Sequence, residues 1–208
     1  MRATPFNRQI LIVSLILCWL GQASSLFAQD GSFAGIIATE EDETVAGVLV
    51  VLTNPEAQIS ITTNADGQYV FPGSPVTAVP LTITPTRDDN WQNGVSTFDR
   101  ILITKHILGI QLLDSPYKLI AADVNNNGQI SVLDLIALQQ IILDPSSASI
   151  NNTSWRFIPA SYDFLDPTDP WQEPIPVHQV ILSLEPSIID VDFVAIKIGD
   201  VNGSAVAN

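Results

Sequence analysis

Residues 123–134 read DVNNNGQISVLD, and the spacing of the oxygen-bearing residues in this stretch decides how the rest of the chain is read. Counting Asp123 as position 1, Asn125 and Asn127 fall at 3 and 5, Gly128 at 6, the Gln129 carbonyl at 7, Ser131 at 9 and Asp134 at 12. A chain that wraps about six or seven hard oxygens around one calcium ion needs this alternation, with glycine at the sharp bend. The candidate metal ligands are therefore Asp123, Asn125, Asn127, Gln129, Ser131 and Asp134, and the expected ion is Ca2+. Only Asp123 and Asp134 carry formal charge, and Asp134 stands where glutamate is usual. Affinity is accordingly expected in the roughly 10⁻⁴ to 10⁻³ M range of extracellular modules. Ile130, at position 8, is expected to point inward toward a second loop. The competing reading is a turn that caps a helix, since Ser131 and Asp134 also have N-cap spacing. Agreement at six positions favours the metal.

An apolar run over residues 133–143 follows this loop and is ended by Asp144 and Pro145. A similar run lies upstream at 96–110, STFDRILITKHILGI, where Phe98, Ile101, Leu102 and Leu108 recur at helical spacing and Gly109 is a natural stop. Setting NGVSTFDRILITKHILG beside NGQISVLDLIALQQIIL reveals a duplication: Asn93, Gly94, Val95, Ser96 and Asp99 echo Asn127, Gly128, Ile130, Ser131 and Asp134, with one gap. Two loop-helix units about 35 residues apart resemble the EF-hand-like pair of the dockerin type I domain. The resemblance implies calcium at Asp123, Asn125, Asn127, Ser131 and Asp134, and a cohesin-like receptor or other extracellular protein as partner. In that family the partner is recognised largely through loop positions 10 and 11, often Ser-Thr. Val132 and Leu133 hold those places here, or Thr97 and Phe98 in the first copy. Apolar side chains there either meet a partner or bury against another part of the chain.

The first copy departs from this pattern at its start. Counting back from Asp99 puts Asp88 at position 1 and Asn90 at 3, but Gln92 and Asn93 then occupy 5 and 6. The far end of the chain, IGDVNGSA, instead places Asp200, Asn202 and Ser204 at the spacing of positions 1, 3 and 5. A second, split metal site is therefore expected, with Asp200, Asn202 and Ser204 given by the C-terminus and Ser96 and Asp99 by the first copy. The competing reading of DVNG is a simple terminal turn.

Between about residues 33 and 85, the runs FAGIIAT, AGVLVVLT, QISITT, QYVF and PLTITPT alternate with turns in the manner of a small antiparallel sandwich. AGVLVVLT, a polar turn and DGQYVF resemble the carboxypeptidase-regulatory-like and B-type repeat sandwiches of secreted bacterial proteins, which implies a spacer or accessory role. Residues 151–186 are rich in proline and aromatic side chains and read as extended segments, with VHQVILSL as a strand. Residues 189–198 read as a third short helical pattern.

At the start, Arg2 and Arg8 precede an apolar run over 10–20 and small residues near 23–28, the layout of a secretory leader. The run is too short to span a bilayer comfortably. No membrane span is expected once the leader is removed, and the expected location is extracellular or at the cell surface. Cys18 is the only cysteine, so a mature chain offers no disulfide, cysteine zinc site or thiol nucleophile. Losing Arg2 and Arg8 takes the formal charge from −14 to −16, which argues against nucleic acid as a partner. A hydrophobic content of 46% argues for packed domains.

The expected fold class is α+β: a small antiparallel β-sandwich at 29–87, after a leader at 1–28, followed by a paired EF-hand-like module at 88–208 with a β-rich insertion at about 150–187. The expected function is non-catalytic assembly, by docking or spacing in a polysaccharide-degrading or cell-surface complex. Polysaccharide is contacted indirectly at most. Trp91, Trp155 and Trp171 keep open the alternative of a carbohydrate-binding accessory protein, and a purely structural surface or adhesin fragment is the other alternative. His106 and His178 lack the neighbours of a triad, and the acids cluster in turns, so no catalytic residue is expected. Asn151 and Asn152 begin glycosylation-type sequons.

Overall fold

The computed structural model describes residues 32–71, 79–144, 146, 150–183 and 188–207. The expected leader lies outside them, as does Cys18. The five runs expected as strands form β1 (Ser32–Ala38), β2 (Leu49–Thr53), β3 (Gln58–Thr62), β4 (Gln68–Phe71) and β5 (Leu81–Thr86). Three helices follow, α1 (Thr97–Ile107), α2 (Pro116–Ala122) and α3 (Val132–Leu143). Four more strands complete the chain, β6 (Trp155–Pro159), β7 (Gln179–Ile181), β8 (Ile188–Asp190) and β9 (Phe193–Lys197).

The fold is α+β, with two sheets and three helices. One sheet is antiparallel in the order β3-β2-β5-β7. The other is mixed, in the order β4-β1-β9-β6, with β8 also on β1. It is mixed because β8 and β9 run parallel to β1 while β4 and β6 pair antiparallel. Strands from residues 155–197 thus complete both sheets begun by residues 32–86.

Within residues 189–198 the chain forms β8 and β9 with a break at 191–192 and a turn at 198, not the helix their pattern suggested. β9 is a wall shared by two cores. Phe193 and Ala195 face the core between the sheets, with Phe33, Leu52 and Ile83, while Ile196 packs with Ile103, Ile120 and Leu138 of the helices. β6 divides in the same way, Trp155 and Phe157 to one side and Ile158 to the other. A strand buried on both faces loses its apolar-polar alternation and cannot be told from a helix by periodicity alone.

β8 and β9 lie along one edge of β1 with a break at Val191 and Asp192. There Val191 N donates to Ala34 O at 2.8 Å and Ile36 N donates to Asp192 Oδ1 at 2.7 Å. The Tyr69 hydroxyl donates to Val191 O, and burial pushes its pKa well above the usual phenol value. Gly35 is needed for this close approach, since a Cβ there would stand 2.1 Å from Val191 O. Gly35→Ala is expected to cost about 3 kcal/mol or prevent folding. Gly47→Ala, whose Cβ would meet nothing within 4 Å, should cost only about 1 kcal/mol for its positive φ of 71°. Urea denaturation of the two variants measures the difference.

Candidate loop sites at the helix ends

Asp123 caps the C-terminus of α2 and Ser131 caps the N-terminus of α3, so residues 123–134 join two helices. The chain turns on Asn126 (φ 56°) and Gly128 (φ 78°). Within the turn, Asp123 is buried; its Oδ1 accepts from Asn127 N at 2.9 Å and its Oδ2 from Gly128 N at 2.8 Å. Asp134, also buried, divides its oxygens between the two ends of the loop. Oδ2 accepts from Ser131 N at 2.8 Å, completing a capping box, while Oδ1 accepts from Asn125 N at 3.2 Å. Asn127 Oδ1 accepts from Gln129 N at 3.0 Å, and the Gln129 side chain is exposed.

The C-terminal segment and the residues before α1 repeat this arrangement across a chain break. Asp200 Oδ1 accepts from Ser204 N at 3.2 Å and from Asn202 N at 3.2 Å, and its Oδ2 accepts from Ala205 N at 2.7 Å. Its bonds to the fourth and fifth residues onward match those of Asp123. Asp99 Oδ2 accepts from Ser96 N at 2.9 Å in a second capping box, and its Oδ1 accepts from Val201 N at 3.0 Å. Asp99 and Asp200 are both buried. Ser204 Oγ donates to Gly94 O at 3.0 Å, and the Asn93 carboxamide makes two bonds to the Val206 backbone, at 2.7 and 3.0 Å. The fold therefore brings Asp200, Asn202 and Ser204 together with Ser96 and Asp99. Asp88 is turned away, accepting from Ser154 N at 2.9 Å. Val95, at the equivalent position to Ile130, is buried in the core under the helices, and Ile130 packs partly buried against that core.

Several residues frame the loops although the sequence gives no sign of that placement. Asn152 Nδ2 donates to the carbonyls of Asp123 and Val124 at 3.2 and 3.3 Å. From β6, Arg156 Nη1 donates to Asn126 Oδ1 at 2.9 Å. Trp171 lies against Gly128, where an added Cβ would be 3.7 Å from its ring. Lys197, buried among Trp91, Trp155 and the C-terminal loop, donates to the carbonyls of Trp91 and Ser154 at 3.1 and 3.3 Å. Burial lowers its pKa to about 8. Only tertiary pairing puts these side chains beside the loops.

Each loop thus holds two buried aspartates, none of them in a salt bridge. Among the described residues the ion pairs are Arg87–Asp89 and Lys118–Asp114. Burial raises the pKa of Asp123, and nearby Asp134 raises it further, while the Asn127 and Gly128 amides oppose the rise. Asp200 is raised in the same way by burial and by Asp99, against the Ala205 and Ser204 amides. Among the described residues no group of three or more His, Cys, Asp or Glu gathers at one point. A cation at either loop would meet two carboxylates, with amide, hydroxyl and carbonyl oxygens making up the rest. Such an all-oxygen set fits calcium and does not fit a soft metal.

The other candidates fare differently. Trp155 is 1% exposed inside the sandwich, so the three tryptophans do not form an open sugar-stacking platform. His106 Nδ1 accepts from the Leu113 amide at 3.1 Å, closing the end of α1, and His178 is exposed. No helix among the described residues is long and apolar enough to cross a membrane. Comparison with protein-family models, with curated proteins and with solved structures finds no match to this chain.

The raised pKa values give a pH signature for the metal-free protein. A carboxyl whose folded pKa lies above its unfolded value contributes stability below the unfolded pKa and loses it as pH rises through the folded one. In chelator, the side-chain carboxyl resonances of Asp123 and Asp200 should titrate above the free-aspartate range. A divalent ion held by the two loops would move both midpoints below it.

Proposed function

We propose that this chain is a secreted, non-catalytic calcium-binding module for protein–protein assembly, in which two ions order paired loop-helix units that resemble a dockerin. The reading is carried by the recurrence of one hydrogen-bond pattern in residues 123–134 and in the loop built from 200–205 and 94–99. Capping explains Ser96–Asp99 and Ser131–Asp134. It does not explain why two further buried aspartates, Asp123 and Asp200, stand opposite them with no salt bridge among the described residues. A divalent ion would remove the repulsion in each pair. Asp123, Asn125, Asn127, Ser131, Asp134 and the Gln129 carbonyl would hold one ion. Asp200, Asn202, Ser204, Ser96 and Asp99 would hold the other, clasping the C-terminal segment to the start of α1.

The docking surface in this reading is the outward side of α1 and α3. Leu133, at loop position 11, is 60% exposed, and its counterpart Phe98 is 53% exposed, so neither is buried against the inserted strands. Ile101 on α1 and Leu108 at its C-cap, and Ile136 and Leu143 on α3, continue the two exposed apolar lines at matching positions. A cohesin-like receptor or another extracellular protein is the proposed partner, in a polysaccharide-degrading or cell-surface complex. The sugar-binding alternative loses its main support with the burial of Trp155.

Calorimetric titration should record two calcium ions per chain, with one event absent from Asp123→Ala and the other from Asp200→Ala. At a hundredfold excess over Kd each ion should add about 2.7 kcal/mol to stability, and chelation should lower Tm accordingly. A melting curve indifferent to chelator would leave the loops as turns and remove the proposal. For docking, immobilised cohesin domains should retain the calcium-loaded chain. Leu133→Asp and Phe98→Asp together should abolish retention while leaving Tm nearly unchanged.

A further inference from the structure

We propose that charges lent by the β-strand framework make the two loops unequal, so that the loop closed by the C-terminus takes calcium before residues 123–134 do. This inference rests on the calcium reading above. Position 4 is the point of comparison: Asn126 in one loop and Gly203 in the other, with φ of 56° and 68°. At Asn126 the neighbour is a cation, Arg156, held at 2.9 Å on the side-chain oxygen. At Gly203 the neighbour is an anion. A Cβ placed there would lie 3.1 Å from Glu41 Oε1 and 3.5 Å from Oε2, so the carboxylate rests against the loop backbone. Glu41 is positioned by the turn after β1, whose Glu40 accepts a hydrogen bond from the Ser115 hydroxyl at the start of α2.

Arg156 acts on the loop's first ligand as well as on the Asn126 side chain, since its charge is felt at Asp123. Residues 123–134 therefore present two carboxylates against one fixed cation. The C-terminal loop also has a cation facing it, Lys197, whose charge interacts with Asp200. Lys197 is held by the Trp91 and Ser154 carbonyls and shares its field with Asp88 and Asp89, however, and Glu41 sets a further negative charge against the loop backbone at Gly203, outside the Asp99–Asp200 pair. The C-terminal loop is the more negative by about one charge. One unit charge in partly solvated surroundings changes the affinity of a divalent ion by roughly three- to tenfold. Gly203 has a second role here: with no side chain, it leaves the space that the Glu41 carboxylate occupies.

The test is a calcium titration of the full chain at low ionic strength after chelator treatment, where screening is least. Two resolved constants are expected, the tighter lost in Asp200→Ala and the weaker in Asp123→Ala. Glu41→Gln should weaken the tighter event by roughly three- to tenfold and leave the other in place. Arg156→Gln should strengthen the weaker event by a similar factor, and Arg156→Lys should restore the wild-type value. Melting in chelator reports whether each variant folds, and Glu41→Gln, on an exposed turn, carries the test alone if Arg156→Gln does not. Two equal constants, or loss of the tighter event in Asp123→Ala, overturn the inference and leave the calcium reading intact. So do folded variants that bind as the wild type. No binding at either loop overturns both.

Discussion

Pairing of β6 with β9 is the constraint on which the rest depends. Their two strands, in register from Trp155 opposite Lys197 to Pro159 opposite Phe193, form a wall with an apolar face on each side. One face closes the core between the sheets, and the other is the floor on which the helices sit. Because β9 runs directly into Gly199 and Asp200, the same pairing delivers the C-terminal loop to the start of α1. Gly199 N donates to Ala121 O at 2.8 Å, so the strand's exit is tied to α2 as well. A chain whose ends are distant in sequence thus builds one loop from two pieces, and the wall fixes the distance between them.

That dependence explains which parts could be read from the residues and which could not. β1 to β5, α1 and α3 were legible because each carries a local signal: alternation in the strands, and in the helices a Ser N-cap with Asp three residues on. α2 was missed. Its seven residues are too few for a period, and its one local mark, Ser115 followed by Pro116, is a helix start that was not weighed. β9 was misread for the opposite reason, since two-sided burial erased the period it should have shown. The adjacency of Asp200 and Asp99 was legible because loop spacing survives a chain break, whereas Asn152, Arg156 and Glu41 bear no mark of their position. Their roles exist only once β6 and the turn after β1 are in place.

The buried charges also show how the framework and the loops are coupled. Four aspartates are sunk at the helix ends without salt bridges, an arrangement that costs stability unless amides, protons or a cation answer it. Backbone amides answer part of it at every one of the four. At Asp123 and Asp200, whose carboxyls burial pushes up, protons can answer the remainder only in acid. In the extracellular setting proposed for this chain, a calcium ion would be the agent that fits the oxygen set.

The proposed inequality between the loops would have a structural consequence. The C-terminal segment is tied to the rest of the chain through the Asn93 carboxamide on Val206, the Ser204 hydroxyl on the Gly94 carbonyl, the Val201 amide on Asp99 and Arg87 on the Ala207 carbonyl at 3.2 Å. An ion that binds there first secures this segment, and with it the buried side chains of Ala205 and Ala207 in the core between the sheets. Residues 123–134 are already fixed at both ends by α2 and α3 and have less to gain. The stronger electrostatic pull thus falls on the loop whose closure requires two distant parts of the chain to meet, which is where binding energy is most needed to offset lost chain entropy.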